Sequence, residues 1–279
     1  MPRAADYRFW WFITRRCNRS CRHCLRRGIG DAGAELDAPT CRRLLLDWCD
    51  WLRRRGRTSE IEFGGANPLL REDLPDLLRI CRAAQDEGLF ARGVRILANP
   101  ETLTPAYVKL MADCGVDDFP VSLDGLERTN DAMRGKGNFA AAVRALDLLR
   151  EGGVPTWVKF TCVRRTAPEF AAVRALARAH GVEKVVPGRL ILEGGGRDCA
   201  DQALTDAEWA AFTREHGISW PPFPPGGPPR RAGTHFVVMA GGEFRPNRRA
   251  APLGRYPDES LDALIPRLNR VPRDGRMAP

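Results

Sequence analysis

Strand-like and helix-like segments alternate along most of this chain, and that alternation limits the folds open to it. Aromatic and β-branched runs occur near residues 8–14, 60–63, 94–98, 117–123, 156–163 and 184–192. Helical patterns lie between them. One begins at Thr40, which can cap it, and carries Leu44, Leu45, Trp48, Cys49 and Leu52 as an apolar stripe. Others run over 74–87 up to Gly88, from Pro105 behind Thr104 up to Gly115, from a capping Asn138 to Gly152-Gly153, and from Pro168 to Gly181. Six strand–helix steps in order imply a parallel sheet with right-handed crossovers. The chain therefore reads as an α/β fold, a six-unit partial barrel whose ligand edge is at the C-terminal ends of its strands.

Directly after the first strand comes Cys17-Asn18-Arg19-Ser20-Cys21-Arg22-His23-Cys24, a C-x3-C-x2-C spacing with no fourth cysteine at ligand distance. Cubane iron–sulfur clusters are held by thiolates, normally four. Three leave one iron open, as a catalytic rather than a structural metal site requires. The competing reading is a zinc knuckle or a set of reduced thiols, with His23 as a poorly placed fourth ligand. The nine cysteines come without a secretory signal, so they point to reduced thiols and a cytoplasmic location. No apolar run is long enough for a membrane span. The net charge of +9 comes from scattered arginine. It lacks the clustering and aromatic interleaving of a nucleic-acid site, and it leaves a preference for an anionic substrate open.

Two further motifs follow in order. After the second strand stands Phe63-Gly64-Gly65-Ala66-Asn67-Pro68-Leu69-Leu70. After the fourth stand Val121-Ser122-Leu123-Asp124-Gly125 and Arg134-Gly135-Lys136-Gly137-Asn138-Phe139. With the cysteine triad, these resemble the radical S-adenosylmethionine (SAM) superfamily, and the second motif resembles its subgroup with SPASM or twitch extensions. The resemblance implies a partial (β/α)6 TIM-like barrel over 1–200. It implies a [4Fe–4S] cluster on Cys17, Cys21 and Cys24, with SAM bound at the open iron. Reductive cleavage of SAM then gives a 5′-deoxyadenosyl radical that abstracts hydrogen. By the same resemblance His23, Gly64, Gly65, Asn67, Ser122, Asp124 and Arg134 contact the cofactor. Gly64 and Gly65 would do so by close backbone approach, and Arg134 as a two-pronged partner for the SAM carboxylate. Where the family commonly has Gly-Gly-Glu-Pro, this chain has Ala66-Asn67 in place of the glutamate, which leaves the SAM amine to carbonyls or to the Asn67 amide.

Residues 201–279 resemble a degenerate SPASM or twitch extension: a Pro/Gly-rich linker at 220–231, a hairpin turning at Gly241-Gly242, and a helix over 258–268. This small α+β extension (hairpin plus helix) has no cysteine after Cys199, hence no thiolate for an auxiliary cluster. That favours a redox-neutral reaction such as epimerisation, with a thiol as hydrogen donor. Cys199, at a mobile position behind the Gly194–Gly196 run, and Cys162, in the fifth strand, are the candidates. The face to which Cys162 points is left open. The expected substrate is a small polar natural product of aminosugar or nucleoside type, and the expected electron donor a flavodoxin or ferredoxin. Dehydrogenation, decarboxylation and peptide maturation are the enzymatic alternatives. A zinc- or nucleic-acid-binding protein is the alternative of another class.

Overall fold

A computed structural model describes residues 5–27, 34–90, 93–218 and 234–270. The expected linker at 220–231 lies outside them, within 219–233. Six parallel strands follow the expected order: β1 (Tyr7–Thr14), β2 (Ser59–Gly65), β3 (Val94–Ile96), β4 (Val121–Ser122), β5 (Val158–Cys162) and β6 (Val185–Arg189). β3 and β4 belong to separate ladders that meet at a parallel bridge between Arg95 and Asp118, and the sheet does not close. The result is a partial barrel.

Helices α1 (Ala38–Arg54), α2 (Leu74–Asp86), α3 (Pro105–Asp113), α5 (Asn138–Glu151) and α6 (Phe170–Ala179) fall where the pattern puts them. Between α3 and α5 lies α4 (Glu127–Arg134), for which the sequence pattern gives no element. Two expected caps move by a few residues. Asp37, not Thr40, caps α1, and its carboxylate accepts the Thr40 N–H. Asn138 is the first residue of α5, and the Asp131 carboxylate on α4 accepts the N–H groups of Gly137 and Phe139 (2.5 and 2.8 Å). Another helix, α7 (Asp206–Glu215), opens on a capping box between Thr205 and Glu208, a local signal present in the sequence.

Alternation along each strand sorts its side chains. On β1, Tyr7, Phe9, Trp11 and Ile13 face the helices and join the core. Phe9 stacks on Trp11, and Trp48 of α1 lies edge-on to Tyr7 and Phe9. Cys41, Cys49, Cys81 and Cys114 are buried in the same layer. The opposite faces of the strands line the lumen.

The C-terminal hairpin forms as expected, with β7 (Thr234–Val238) antiparallel to β8 (Glu243–Arg245). It is built into the barrel sheet, because β7 also pairs in parallel with β1 from Tyr7↔Thr234 to Trp11↔Val238. Phe236 stacks between Phe9 and Phe244, at 5.0 and 5.6 Å. A two-residue strand, β9 (Gly254–Arg255), completes that side, and α8 (Leu261–Arg270) packs on α1 and β7. At the other side β6 is an open edge with Pro187 in its middle. Among the described residues no helix is long and apolar enough to cross a membrane.

Phe236→Ala tests whether the hairpin is integral to the barrel. Removing a fully buried ring between two aromatic neighbours should cost about 3–5 kcal/mol of unfolding free energy. Chemical denaturation followed by far-UV dichroism reads this, and a loss under about 1 kcal/mol would mean that β7 is only loosely attached.

Candidate active site

The cysteine loop leaves β1 at the C-terminal rim, and two separate networks hold it. On the β2 side the GGANP segment bonds to it through backbone: Ala66 N–H to Thr14 O and Asn67 N–H to Arg16 O. Gly65 permits this approach with φ of +104°; a Cβ there would lie 2.6 Å from Thr14 O. Asn67 Nδ2 donates to Asn18 Oδ1 (2.9 Å) and Thr102 Oγ1 (3.0 Å), and its Oδ1 accepts from Asn99 N–H. Asn18 also receives Asn99 Nδ2 and donates to Glu101. Asn67 is fully buried with its amide committed to these partners, so it does not meet a cofactor amine as the sequence reading expected. Its task is to position the loop.

On the other side the loop rests on the C-terminal end of α4. Met133 O accepts the Arg22 N–H (2.9 Å), Arg134 O accepts the Cys21 thiol (3.6 Å), and Lys136 O accepts Arg19 Nη1 (3.0 Å). Beneath this contact lies Asp124, with no solvent exposure. Its Oδ1 accepts the Thr161 N–H (2.6 Å), and its own N–H donates to Asn130 Oδ1. Its Oδ2 lies 2.6 Å from Arg134 Nε and 3.1 Å from His23 Nε2. Burial opposes the charge on Asp124, but Arg134, His23 and the Thr161 N–H outweigh it and hold the carboxyl well below the ordinary carboxylate range. The family resemblance implies a cofactor contact for Asp124. The structure encloses it as the anchor of His23 and Arg134.

The three cysteines converge electrostatically. Burial raises the pKa of Cys17, and the nearby Cys24 raises it further; Cys21 is raised first by burial, is opposed by Arg134, and is raised again by Cys24 and Cys17. Thiolates that disfavour one another's charge in this way are relieved by a bound cation. No three His, Cys, Asp or Glu side chains among the described residues converge on a single-ion site, whereas a cubane takes its thiolates on separate irons. His23 Nδ1 is buried without a hydrogen-bond partner beside the third cysteine. This donor set fits a cluster.

Ser122 and Gly64 stand on lumen faces of β4 and β2. Cys162 does not. It lies on the helix-facing side of β5 with Val158 and Phe160, fully buried, and burial pushes its thiol up to about 12. The inward face of β5 carries Lys159 and Thr161 instead. Cys199 is also sequestered, 4% exposed at the kink between two short 3-10 turns within Gly194–Gln202. The lumen holds ionic residues outside the motifs: Glu62 on Arg95 (3.2 Å), Arg95 on Asp118 (2.7 Å), and Lys159, which has no ion pair among the described residues. Burial raises the pKa of Glu62 and lowers that of Lys159.

Asp124→Asn keeps the shape and removes the charge, leaving Arg134 buried without its counter-ion. A loss of about 3–5 kcal/mol is expected. The depressed pKa also fixes a pH dependence. Stability from ionised Asp124 is fully present above the unfolded carboxylate value of about 4 and is lost as pH falls below it. Denaturant unfolding between pH 7 and pH 3 should therefore show a shallower acid limb in the variant than in the parent, and parallel limbs would contradict this account of Asp124.

A family profile described as the Radical SAM superfamily matches residues 11–173. Among curated proteins, the chain is 29% identical over 197 residues to the Fe-coproporphyrin III synthase of Methanosarcina barkeri, covering 70% of this chain and 47% of that one. It is 30% identical over 200 residues to the mycofactocin maturase MftC of Mycolicibacterium smegmatis, covering 71% and 48%. The chain thus spans about half the length of the curated relatives it matches. Among solved structures, native anSMEcpe with bound AdoMet superposes with a TM-score of 0.70 at 15% identity, covering 93% of this chain and 80% of that one. Streptococcus suis SuiB bound to S-adenosylmethionine gives 0.65 at 12% identity, covering 96% and 68%.

Proposed function

This chain belongs to the radical SAM superfamily of enzymes, which use a [4Fe–4S] cluster and SAM, and we propose that Cys17, Cys21 and Cys24 carry that cluster above a lumen that receives a polar organic substrate. When bound, the cluster supplies one electron to SAM, and the 5′-deoxyadenosyl radical so formed removes a hydrogen atom from the substrate. The observation that carries this reading is the doubly braced loop. The three cysteines sit on one loop at the C-terminal rim, fixed from the β2 side by Asn67 and from α4 by the Asp124–Arg134 pair.

The residues divide the work. Gly64 and Gly65 let backbone come close to SAM, and Ser122 offers a hydroxyl from the lumen face of β4. Arg134 is held to Asp124 through Nε, which leaves its terminal Nη groups for the SAM carboxylate. His23 is oriented by the same carboxylate. Lys159, Glu62 and Arg95 give the lumen fixed charge, which suits a small polar substrate. None of the relatives named above is an aminosugar or nucleoside enzyme. The epimerase version loses Cys162 as donor, because that thiol points into the helix layer, and Cys199 is closed off. The product of hydrogen abstraction is therefore left unassigned between redox-neutral and oxidative outcomes. A flavodoxin or ferredoxin is the class of donor that suits the electron required. We read residues 201–279 as an extension of SPASM or twitch type, its first strand added to β1 and its sequence without auxiliary-cluster cysteines.

Anaerobic reconstitution with iron and sulfide tests the assignment. The parent protein should turn brown, bind about four irons, and release 5′-deoxyadenosine from SAM under reductant. Cys21→Ala should lose the chromophore and SAM cleavage together, while Cys162→Ala should keep both. A Cys21→Ala protein that still cleaves SAM, or a parent that retains zinc and leaves SAM intact, would refute the assignment.

A further inference from the structure

Beside the cysteine loop, where β6 ends, lies an open pocket of about 700 Å³. Its wall is the glycine run after β6, joined directly to the cluster-bearing loop: Gly195 N–H donates to Cys24 O (2.9 Å), and a Cβ at Gly195 would lie 2.3 Å from Arg22 O. The pocket is lined by four arginines, Arg27, Arg197, Arg248 and Arg249, against two carboxylates, Glu193 and Asp198. Glu193 is gripped by Arg248 at 3.2 Å and by Arg249, and Asp198 lies 3.6 Å from Arg27. Arg197 has no partner among the described residues. The lining keeps two positive charges in excess, one of them on an uncommitted guanidinium. Immediately before Glu193 in the chain, Ile191 and Leu192 are 38% and 52% exposed, both unusual for this molecule.

We infer that this pocket binds an oxyanion, and that it is the outer part of the substrate site. The inference rests on the function proposed above, since it names the substrate class for that same site. Arginine forks match the two oxygens of a carboxylate or phosphate. Glu193 holds Arg248 and Arg249 in place while leaving the pocket cationic. The pocket belongs with the rim because its glycine wall is hydrogen-bonded to the cysteine loop through Gly195 and Cys24.

The test is calorimetric titration of the reconstituted holoenzyme with biphenyl dicarboxylate, its uncharged diamide, and biphenyl phosphate. Both anions should bind, and the diamide should not. Arg197→Ala and Arg248→Ala should each weaken anion binding about tenfold, the scale of one lost hydrogen bond to a charged group. The tighter of the two anions identifies the oxyanion as carboxylate or phosphate. Failure of both anions to bind, equal binding of the diamide, or unchanged affinity in Arg197→Ala would overturn the inference. Arg197 is exposed and unpaired, so that variant reports without a folding defect. SAM cleavage in the same preparations reads the proposed function separately. Anion binding without cleavage upholds the pocket and sinks the radical reading, and cleavage without anion binding does the reverse.

Discussion

One buried carboxylate governs the geometry of the rim. Asp124 has no access to water, and an unpaired charge there would be prohibitive. It is tolerable because Arg134, His23 and the Thr161 N–H converge on it from three different segments: α4, the cysteine loop and β5. Each partner is therefore located by the others. The residue between Cys21 and Cys24 that matters is fixed by a strand and a helix far away in sequence. A thiolate set that must fit a rigid inorganic body gains from such bracing, since small displacements of a first ligand are what neighbouring shells prevent.

The second brace works through neutral groups. Asn67, Asn18 and Asn99 form an amide network with Glu101 at its edge, joining the loop to the segments after β2 and β3. The amides fix direction, and Glu101, which also pairs with Arg19, ties the network back to the cysteine loop.

The strands and most helices were legible because their signals are local: hydrophobic period, a glycine stop, a proline in the first turn. The cysteine triad was legible because its spacing is chemical. Long-range contacts were not. Nothing near Asn67 announces that Asn18 and Thr102 will occupy its amide, so it was read as a cofactor contact. Nothing near Asp124 announces that Thr161 and His23 will enclose it. Cys162 was undecided because a strand's two faces cannot be ranked when the residues on both are mixed; only pairing with β4 and β6 settles that Lys159 points inward. Helix α4 was missed because it is short and mostly polar, with Met133 as its one large buried apolar side chain. The hairpin was foreseen, yet its parallel union with β1 was not, since the partner lies more than two hundred residues earlier.

An unclosed parallel sheet leaves two rows of backbone groups that a foreign strand could adopt, and such rims are where soluble proteins begin to clump. Here the two rims are blunted by different means. At one, Pro187 interrupts the donor row of β6, because its ring nitrogen carries no hydrogen. At the other, β9 offers just two residues, too short a template to recruit a neighbour. The fold can thus keep a side entrance for its ligand while giving aggregation little purchase.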